Sequence, residues 1–169
     1  MRLIGALLIV ASLGMGGMLG GMRYNRRIKE LEDWRQALKW CEMEINYRLL
    51  PLKEVLETVA ERLGGTVGEV FRQCACGIEE HSSAQESWDK AIDNYLHFTA
   101  LTRKDGVFLR RFGAVLGKSD LKQQNKNFDF LEENLRQALQ EALAEKKAKA
   151  KMCRYVGFFS GLALVLILL

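Results

Sequence analysis

The side chains of this sequence that could carry out chemistry are cysteines, histidines and neighbouring carboxylates. A cluster of thiolates would bind zinc, and a cysteine beside a histidine would form an activated nucleophile. The cysteines are Cys41, Cys74, Cys76 and Cys153, and the histidines are His81 and His97. Cys74 and Cys76 form a C-x-C rather than a C-x-x-C, and neither histidine stands at ligand spacing from them. We therefore predict no metal site and interpret the cysteines as free thiols in a reducing compartment.

The carboxylate pairs do not indicate a catalytic acid and base. Glu42 and Glu44 lie about 200° apart around a helix, so their side chains do not converge. Glu79 and Glu80 beside His81 are typical of a solvated turn. The glycines of "RLGGTVGE" follow no predicted strand, which favours a helix stop over a phosphate-binding loop. We predict that the chain is not an enzyme and has no catalytic residue or cofactor; a membrane hydrolase with an unrecognised site is the alternative.

The elements that would position these side chains are helices. The chain has one proline, and its apolar residues recur at spacings of three and four, which indicates helices throughout. Pro51 is predicted to start the second helix, Gly64 and Gly65 to end it, and a long last helix to begin near Leu121. Three capping pairs are predicted: Thr66 with Glu69, Ser83 with Glu86, and Thr102 with Asp105. The predicted fold is all-α: an antiparallel cytoplasmic bundle of about six helices, flanked by an N-terminal and a C-terminal transmembrane helix.

Both ends of the chain are apolar. Residues 3–22 carry no charge and would rise about 30 Å as a helix, the thickness of a bilayer core. A cleaved signal peptide is the alternative for this segment. Residues 155–169 would rise only about 22 Å, or about 27 Å with residues 152–154 included, and a buried core helix is their alternative. We predict an N-terminal transmembrane helix at 1–22, a cytoplasmic helical bundle domain at 23–154 and a C-terminal transmembrane helix at 155–169.

Basic residues flank both apolar segments on the side of the central domain. They are Arg23, Arg26, Arg27, Lys29, Lys146, Lys147, Lys149, Lys151 and Arg154. Because cytoplasmic flanks of membrane helices are enriched in Lys and Arg, both segments predict a cytoplasmic central domain. Residues 30–145 hold 15 basic and 21 acidic residues, a net charge of −6. We therefore predict the lipid bilayer as a partner of the basic flanks and no nucleic acid.

Small residues recur at a spacing of four in both apolar segments. The pairs are Gly16 with Gly20, Gly17 with Gly21, and Gly157 with Gly161. This spacing allows membrane helices to approach closely, either within the chain or with partners. The alternative is that glycine is simply frequent in membrane helices.

Several segments together resemble one family. They are "LKWCEMEINYRLLPL", a tryptophan at 88, "LRRFGAVLGKSD" followed by Gln124, and "GFFSGLALVLILL". Their order resembles the stage III sporulation protein AB family of endospore-forming bacteria, over nearly the whole chain. The segment from Phe112 to Asp120 is also similar to a helix junction of the platform proteins of type II secretion and type IV pilus systems. The residues that carry the resemblance are Glu44, Tyr47, Pro51, Trp88, Phe112, Gly113, Leu116, Gly117, Ser119, Asp120 and Gln124.

The resemblance implies a membrane platform or scaffold of a secretion-like channel complex that is required for endospore formation. It implies a cytosolic secretion-type ATPase, stage III sporulation protein AA, as a neighbour, and we predict that the protein couples this ATPase to the membrane assembly between mother cell and forespore. Other membrane proteins of the complex and a second copy of the chain are further expected partners. The alternative is an adaptor that recruits a partner to the membrane without mechanical coupling. The platform proteins carry two copies of the helical domain and three spans, whereas this sequence predicts one copy and two spans.

The motif residues also have structural interpretations. Gly113 would allow close helix packing, and Gly117 would end a helix in a left-handed cap. Ser119 or Asp120 would cap the next helix. We predict that this junction is mainly architectural.

Overall fold

The chain folds into helices joined by short turns. The computed structural model describes the backbone at residues 2–48, 50–80, 83–113 and 121–168, and the side chains at 22–46, 50–80, 83–113 and 126–152. The α-helices are α1 (Arg2–Met43), α2 (Leu52–Leu63), α3 (Gly65–Glu79), α4 (Ala84–Leu96), α5 (Arg103–Gly113) and α6 (Leu121–Leu168). A π-helical turn, Glu44–Arg48, follows α1. The described backbone contains six α-helices and no strand, which confirms the predicted all-α class.

Two compact units divide the chain. The central unit is Lys29–Leu139, and the terminal unit consists of Met1–Ile28 with Gln140–Leu169. Helices α1 and α6 contribute residues to both units, whereas α2 to α5 belong to the central unit. The predicted division into 1–22, 23–154 and 155–169 separates membrane from cytosol, and it stays a prediction.

Within the described residues, no helix has the length and apolar character needed to cross a bilayer. Almost all side chains of the two predicted spans, 1–22 and 155–169, lie outside the described residues. The same holds for the six glycines predicted to mediate helix contacts: Gly16, Gly17, Gly20, Gly21, Gly157 and Gly161. Both spans and their glycine contacts therefore stay predictions.

The core of the central unit consists of apolar stripes at helical spacing. On α1 the stripe includes Leu31, Trp34, Leu38 and Cys41, all at most 3% exposed. Helix α2 packs on α3, α3 on α4 and α4 on α5, and α6 adds a buried stripe of its own. Each fully buried large side chain stabilises the fold by about 1.5–3 kcal/mol. The buried residues of α2 to α6 include Val55, Leu56, Val59, Val67, Val70, Phe71, Trp88, Ile92, Leu109, Phe112, Phe128, Leu131 and Leu135.

Local hydrogen bonds define where α4 and α5 begin. The Ser83 hydroxyl accepts a hydrogen bond from the Glu86 amide at 3.2 Å, and the Glu86 carboxylate accepts one from the Ser83 amide at 3.4 Å. At α5, the Asp105 carboxylate accepts from the Thr102 amide at 2.7 Å, and the Thr102 hydroxyl accepts from the Asp105 amide at 3.3 Å. Both predicted capping pairs are confirmed.

The third predicted capping pair is wrong. Helix α3 begins at Gly65, one residue before Thr66, and its N-cap Gly64 makes no side-chain cap hydrogen bond. Gly64 and Gly65 have φ values of 61° and 62°, which favour glycine, and they separate α2 from α3 as predicted. The Glu69 carboxylate instead accepts hydrogen bonds from Arg72 and Gln73 on its own helix.

Candidate functional site

Trp88, predicted from the family motif, lies at the centre of the core. It is on α4, its side chain is 0% exposed, and its indole Nε1 donates a hydrogen bond to the Leu109 carbonyl of α5 at 2.8 Å. A buried indole N–H without an acceptor would be costly, so this bond fixes the indole against α5. Trp88 therefore orients α4 relative to α5.

Gly113, a second motif residue, packs directly on Trp88. A Cβ built on Gly113 would lie 2.6 Å from Cγ and 2.9 Å from Cβ of Trp88, closer than carbon atoms approach without a shift. Because both contacts involve the root of a buried indole, the ring cannot simply rotate away. The predicted close helix packing at Gly113 is thus present, and it is a contact between α5 and α4.

A connected set of aromatic rings, which we call the aromatic chain, extends from Trp88 through the central unit. Neighbouring ring centroids lie 5.2–5.9 Å apart in tilted or edge-to-face arrangements. Each such pair contributes about 0.5–1.5 kcal/mol beyond its burial. The aromatic chain joins α1, α3, α4, α5 and α6. Its members are Trp34, Phe71, Trp88, Tyr95, Phe112 and Phe128. The motif residues Trp88, Phe112 and Gly113 are therefore brought together inside the core.

Glu44 and Pro51 lie in the connection between α1 and α2. Glu44 starts the π-helical turn, and its 3%-exposed side chain forms an ion pair with Arg62 of α2 at 2.9 Å. Pro51 is exposed, directly precedes α2, and its carbonyl accepts a hydrogen bond from the Val55 amide at 3.1 Å. Both residues fix the direction of the chain into α2.

The other motif residues are not placed by side-chain contacts. Leu116, Gly117, Ser119 and Asp120 lie outside the described residues. Tyr47 and Gln124 have a described backbone, in the π-helical turn and in α6, but their side chains lie outside the described part. Their predicted roles stay predictions.

The sequence analysis missed Glu30, a carboxylate that is 4% exposed in the central unit. Its Oε2 accepts hydrogen bonds from the Tyr95 hydroxyl at 3.2 Å, the Ala100 amide at 3.0 Å and the Thr99 hydroxyl. Glu30 thereby anchors the turn between α4 and α5 to α1. Its position four residues before Trp34, on the apolar stripe of α1, was the available signal.

The predicted basic flanks differ in their exposure. Arg23, Arg26, Lys29, Lys146, Lys147, Lys149 and Lys151 are exposed, and Arg154 lies outside the described side chains. Arg27 differs, because it is 4% exposed and forms an ion pair with Glu145 at 3.1 Å within the terminal unit. The role of all nine residues as basic flanks of membrane helices stays a prediction.

The described cysteines do not form a metal site. Cys41 and Cys74 are buried and Cys76 is exposed. Burial raises the pKa of Cys74 to about 12 and raises the pKa of Cys41, next to Cys74, still further, so both thiols stay protonated at neutral pH. Among the described residues, no group of three or more potential ligands could hold a metal ion.

Known proteins that are similar to this chain identify its family. The family model described as stage III sporulation protein AB matches residues 2–169. The chain belongs to the stage III sporulation protein AB family. Stage III sporulation protein AB of Bacillus subtilis (strain 168) is 26% identical over 170 residues, covering 100% of this chain and 99% of that protein.

Structural comparison agrees with this membership of the stage III sporulation protein AB family. A solved structure of stage III sporulation protein AB (SpoIIIAB) superposes with a TM-score of 0.68 at 22% identity, covering 73% of this chain and 98% of that one. It shows that the fold is shared. Rab GTPase-binding effector protein 1 of Rattus norvegicus is 28% identical over 100 residues, but the match spans only 11% of that protein. Membership of this family indicates a function related to sporulation.

Proposed function

We propose that the protein is a membrane platform of a secretion-like complex required for endospore formation. Its membership of the stage III sporulation protein AB family carries the sporulation role. The proposed partners are a cytosolic secretion-type ATPase, stage III sporulation protein AA, and other membrane proteins of the same complex. The proposed location is the mother-cell side of the membrane around the forespore, with two spans and a cytoplasmic central domain.

The helices that support the platform role are α1 and α6. They are 42 and 48 residues long without a break, or about 63 Å and 72 Å. An unbroken helix transmits displacement along its axis better than a flexible linker does. We propose that α1 and α6 carry movement between the membrane segments and the cytoplasmic domain that the ATPase contacts.

Within the central unit, the aromatic chain supports the proposed transmission. It joins α1 and α6 to α3, α4 and α5 through close-packed buried rings. Because packed interiors are stiff, force on one helix would reach the others without large internal rearrangement. A rigid domain of this kind fits a platform rather than an enzyme that closes around a substrate.

Glycine insertions test the coupling. Three glycines after Tyr24 and, separately, after Met152 should lower sporulation efficiency at least about tenfold, because glycine weakens helix continuity by about 1 kcal/mol per residue. Three alanines inserted at the same sites are the matched control, since they keep the helix. Circular dichroism and membrane fractionation of each variant establish that it is folded and located normally.

The adaptor alternative predicts a different outcome. If the protein only recruits a partner, glycine insertions should leave sporulation normal, and unrelated transmembrane helices should replace residues 1–22 and 155–169 without loss. Normal sporulation of the glycine variants would contradict mechanical coupling, whatever the result of the replacement.

A further inference from the structure

Helix α5 carries a basic surface that contrasts with the rest of the central unit. Its exposed residues are Arg103, Lys104, Val107, Arg110 and Arg111. At 100° per residue these five positions cover an arc of about 120°, with Val107 in the middle and two basic residues on each side. We call this surface the basic face. It lies in a stretch, residues 30–145, whose net charge is −6.

The basic face is only partly neutralised by neighbouring groups. Arg110 forms an ion pair with Asp93 of α4. The Arg111 guanidinium lies 6.0 Å from the centroid of Phe130, which is 50% exposed. Val107, 62% exposed, adds an apolar centre. Exposed cations around an exposed apolar side chain are suited to an acidic surface of a partner.

The same chain has an acidic groove between α2 and α3. The groove has a volume of about 490 Å³ and is lined by Glu57, Glu61 and Glu69, with Arg72 beside Glu69. Lys53 pairs with Glu57 at 3.6 Å and Arg72 pairs with Glu69, so these three carboxylates and two cations leave a net charge of −1, carried by Glu61. We call it the acidic groove.

The floor of the acidic groove leaves room for side chains of a partner. Gly64 and Gly65 form part of it, and a Cβ at either position would meet no atom within 4 Å. Glu54, also exposed, extends the carboxylate row of α2 by one turn. Arginine or lysine side chains of a partner helix can therefore enter between the carboxylates.

The two surfaces lie on different helices of the described central unit. Helix α3 forms one wall of the acidic groove and packs on α4, which in turn packs on α5, so α4 stands between the groove and the basic face in this packing order. Two molecules can bring these surfaces together directly. The contact is heterologous, and contacts of this type build rings or open filaments rather than closed two-fold dimers.

We propose that the basic face of one molecule docks into the acidic groove of a second copy of this chain. The complementary charges of both surfaces carry this inference. It goes beyond the proposed platform role, because this association requires neither membrane spans nor an ATPase.

Charge reversal of each surface separately tests the docking. The basic-face variant is Arg103→Glu with Lys104→Glu, and the acidic-groove variant is Glu57→Lys with Glu61→Lys. These positions are exposed, so the folded state should tolerate the changes. Lys39→Glu with Arg136→Glu is the control, since it makes the same change in net charge at exposed positions that line neither the basic face nor the acidic groove.

Self-association of the full chain in zwitterionic detergent is measured by sedimentation at low and high salt. The wild type should self-associate, and raising salt from about 0.05 M to 0.5 M should weaken association because the charges are screened. Each variant alone should associate at least about tenfold more weakly than the wild type, and the control should behave like the wild type. A mixture of the two variants, and a single chain with all four substitutions, should regain association because opposite charges again face each other.

Three outcomes would overturn the proposal. The first is a wild type that is monomeric at low salt. The second is that each variant associates like the wild type. The third is that neither the mixture nor the chain with four substitutions regains association. Self-association is also measured with phosphatidylglycerol added to the detergent. If the basic-face variant self-associates like the wild type and this lipid affects only the wild type, the basic face is a lipid-binding surface instead.

Discussion

At the scale of single residues, the contact between Gly113 and Trp88 shows what the family motif does in the fold. The motif residues brought together by the structure are buried, and their contacts join α4 to α5. The N–H of Trp88 bonded to the Leu109 carbonyl and the missing side chain at Gly113 act on the same helix pair. Substitution at either position should therefore act first on stability.

We predict that Gly113→Ala lowers the free energy of unfolding by about 1–3 kcal/mol, because the added methyl group overlaps the buried Trp88 indole. Gly106→Ala on the same helix is the matched control. There the added Cβ meets only the terminal methyl groups of Leu96, at 3.0 and 3.2 Å, which can move. Chemical denaturation of the purified variants checks the difference, and equal stability of the two variants would contradict this role of Gly113.

The buried carboxylate of Glu30 gives a second prediction. Glu30→Ala should lower the free energy of unfolding by about 3 kcal/mol, because the buried Ala100 amide and the Tyr95 and Thr99 hydroxyls lose their common acceptor. Glu32→Ala, an exposed neighbour on α1, should change stability by less than about 0.5 kcal/mol. Denaturation midpoints measure both, and a Glu30→Ala variant as stable as Glu32→Ala would show that the hydrogen bonds contribute nothing.

A third prediction concerns the pH dependence of stability at Glu42. Burial raises the pKa of the Glu42 carboxyl, Asp129 and Glu132 of α6 raise it further, and Lys39 lowers it. A carboxyl whose pKa is raised on folding contributes most stability when protonated, and this contribution is lost as pH rises through its folded pKa. Glu42→Gln should therefore raise stability by about 0.5 kcal/mol at neutral pH.

The advantage of Glu42→Gln should shrink as pH falls below the ordinary pKa of glutamate, where Glu42 becomes protonated in the folded and unfolded states alike. Thermal unfolding of both proteins between about pH 4 and 8 measures this difference. A constant difference across this range, or a loss of stability at neutral pH, would contradict the raised pKa.

At the scale of helices, the start of α4 contrasts with the start of α3. Ser83→Ala should lower stability by about 1 kcal/mol, because it removes the hydroxyl that accepts from the Glu86 amide. Thr66→Ala should be nearly neutral, since Thr66 lies within α3 and its hydroxyl does not cap the helix. Denaturation curves of the two variants test this pair, and similar losses would contradict the assigned start of α3.

The same contrast indicates what sequence can predict here. The capping pairs at Ser83 and Thr102 follow from spacing within four residues, so local pattern was sufficient. At Thr66 the same spacing failed, because the left-handed backbone of Gly64 and Gly65 starts α3 earlier. Glu30 was missed for another reason: its partners Tyr95 and Ala100 are 65 and 70 residues away in sequence. Such contacts depend on how α1 and α4 pack, which periodicity does not specify.

At the scale of the whole molecule, two features support the platform role. One is the close-packed central unit, and the other is the pair of long helices, α1 and α6, that continue beyond it in sequence. The aromatic chain makes the central unit stiff, and the basic face and acidic groove give it surfaces for neighbours. The account therefore depends most on the predicted anchoring and orientation.

Labelling of Cys76 tests that central claim directly, because this thiol is exposed on the central unit whereas Cys41 and Cys74 are buried. In a Cys153→Ser variant, a membrane-impermeant maleimide should label Cys76 only after the cells are permeabilised, and the protein should require detergent to leave the membrane fraction. Labelling of Cys76 in intact cells, or a protein that stays soluble without detergent, would contradict a cytoplasmic platform held by two spans.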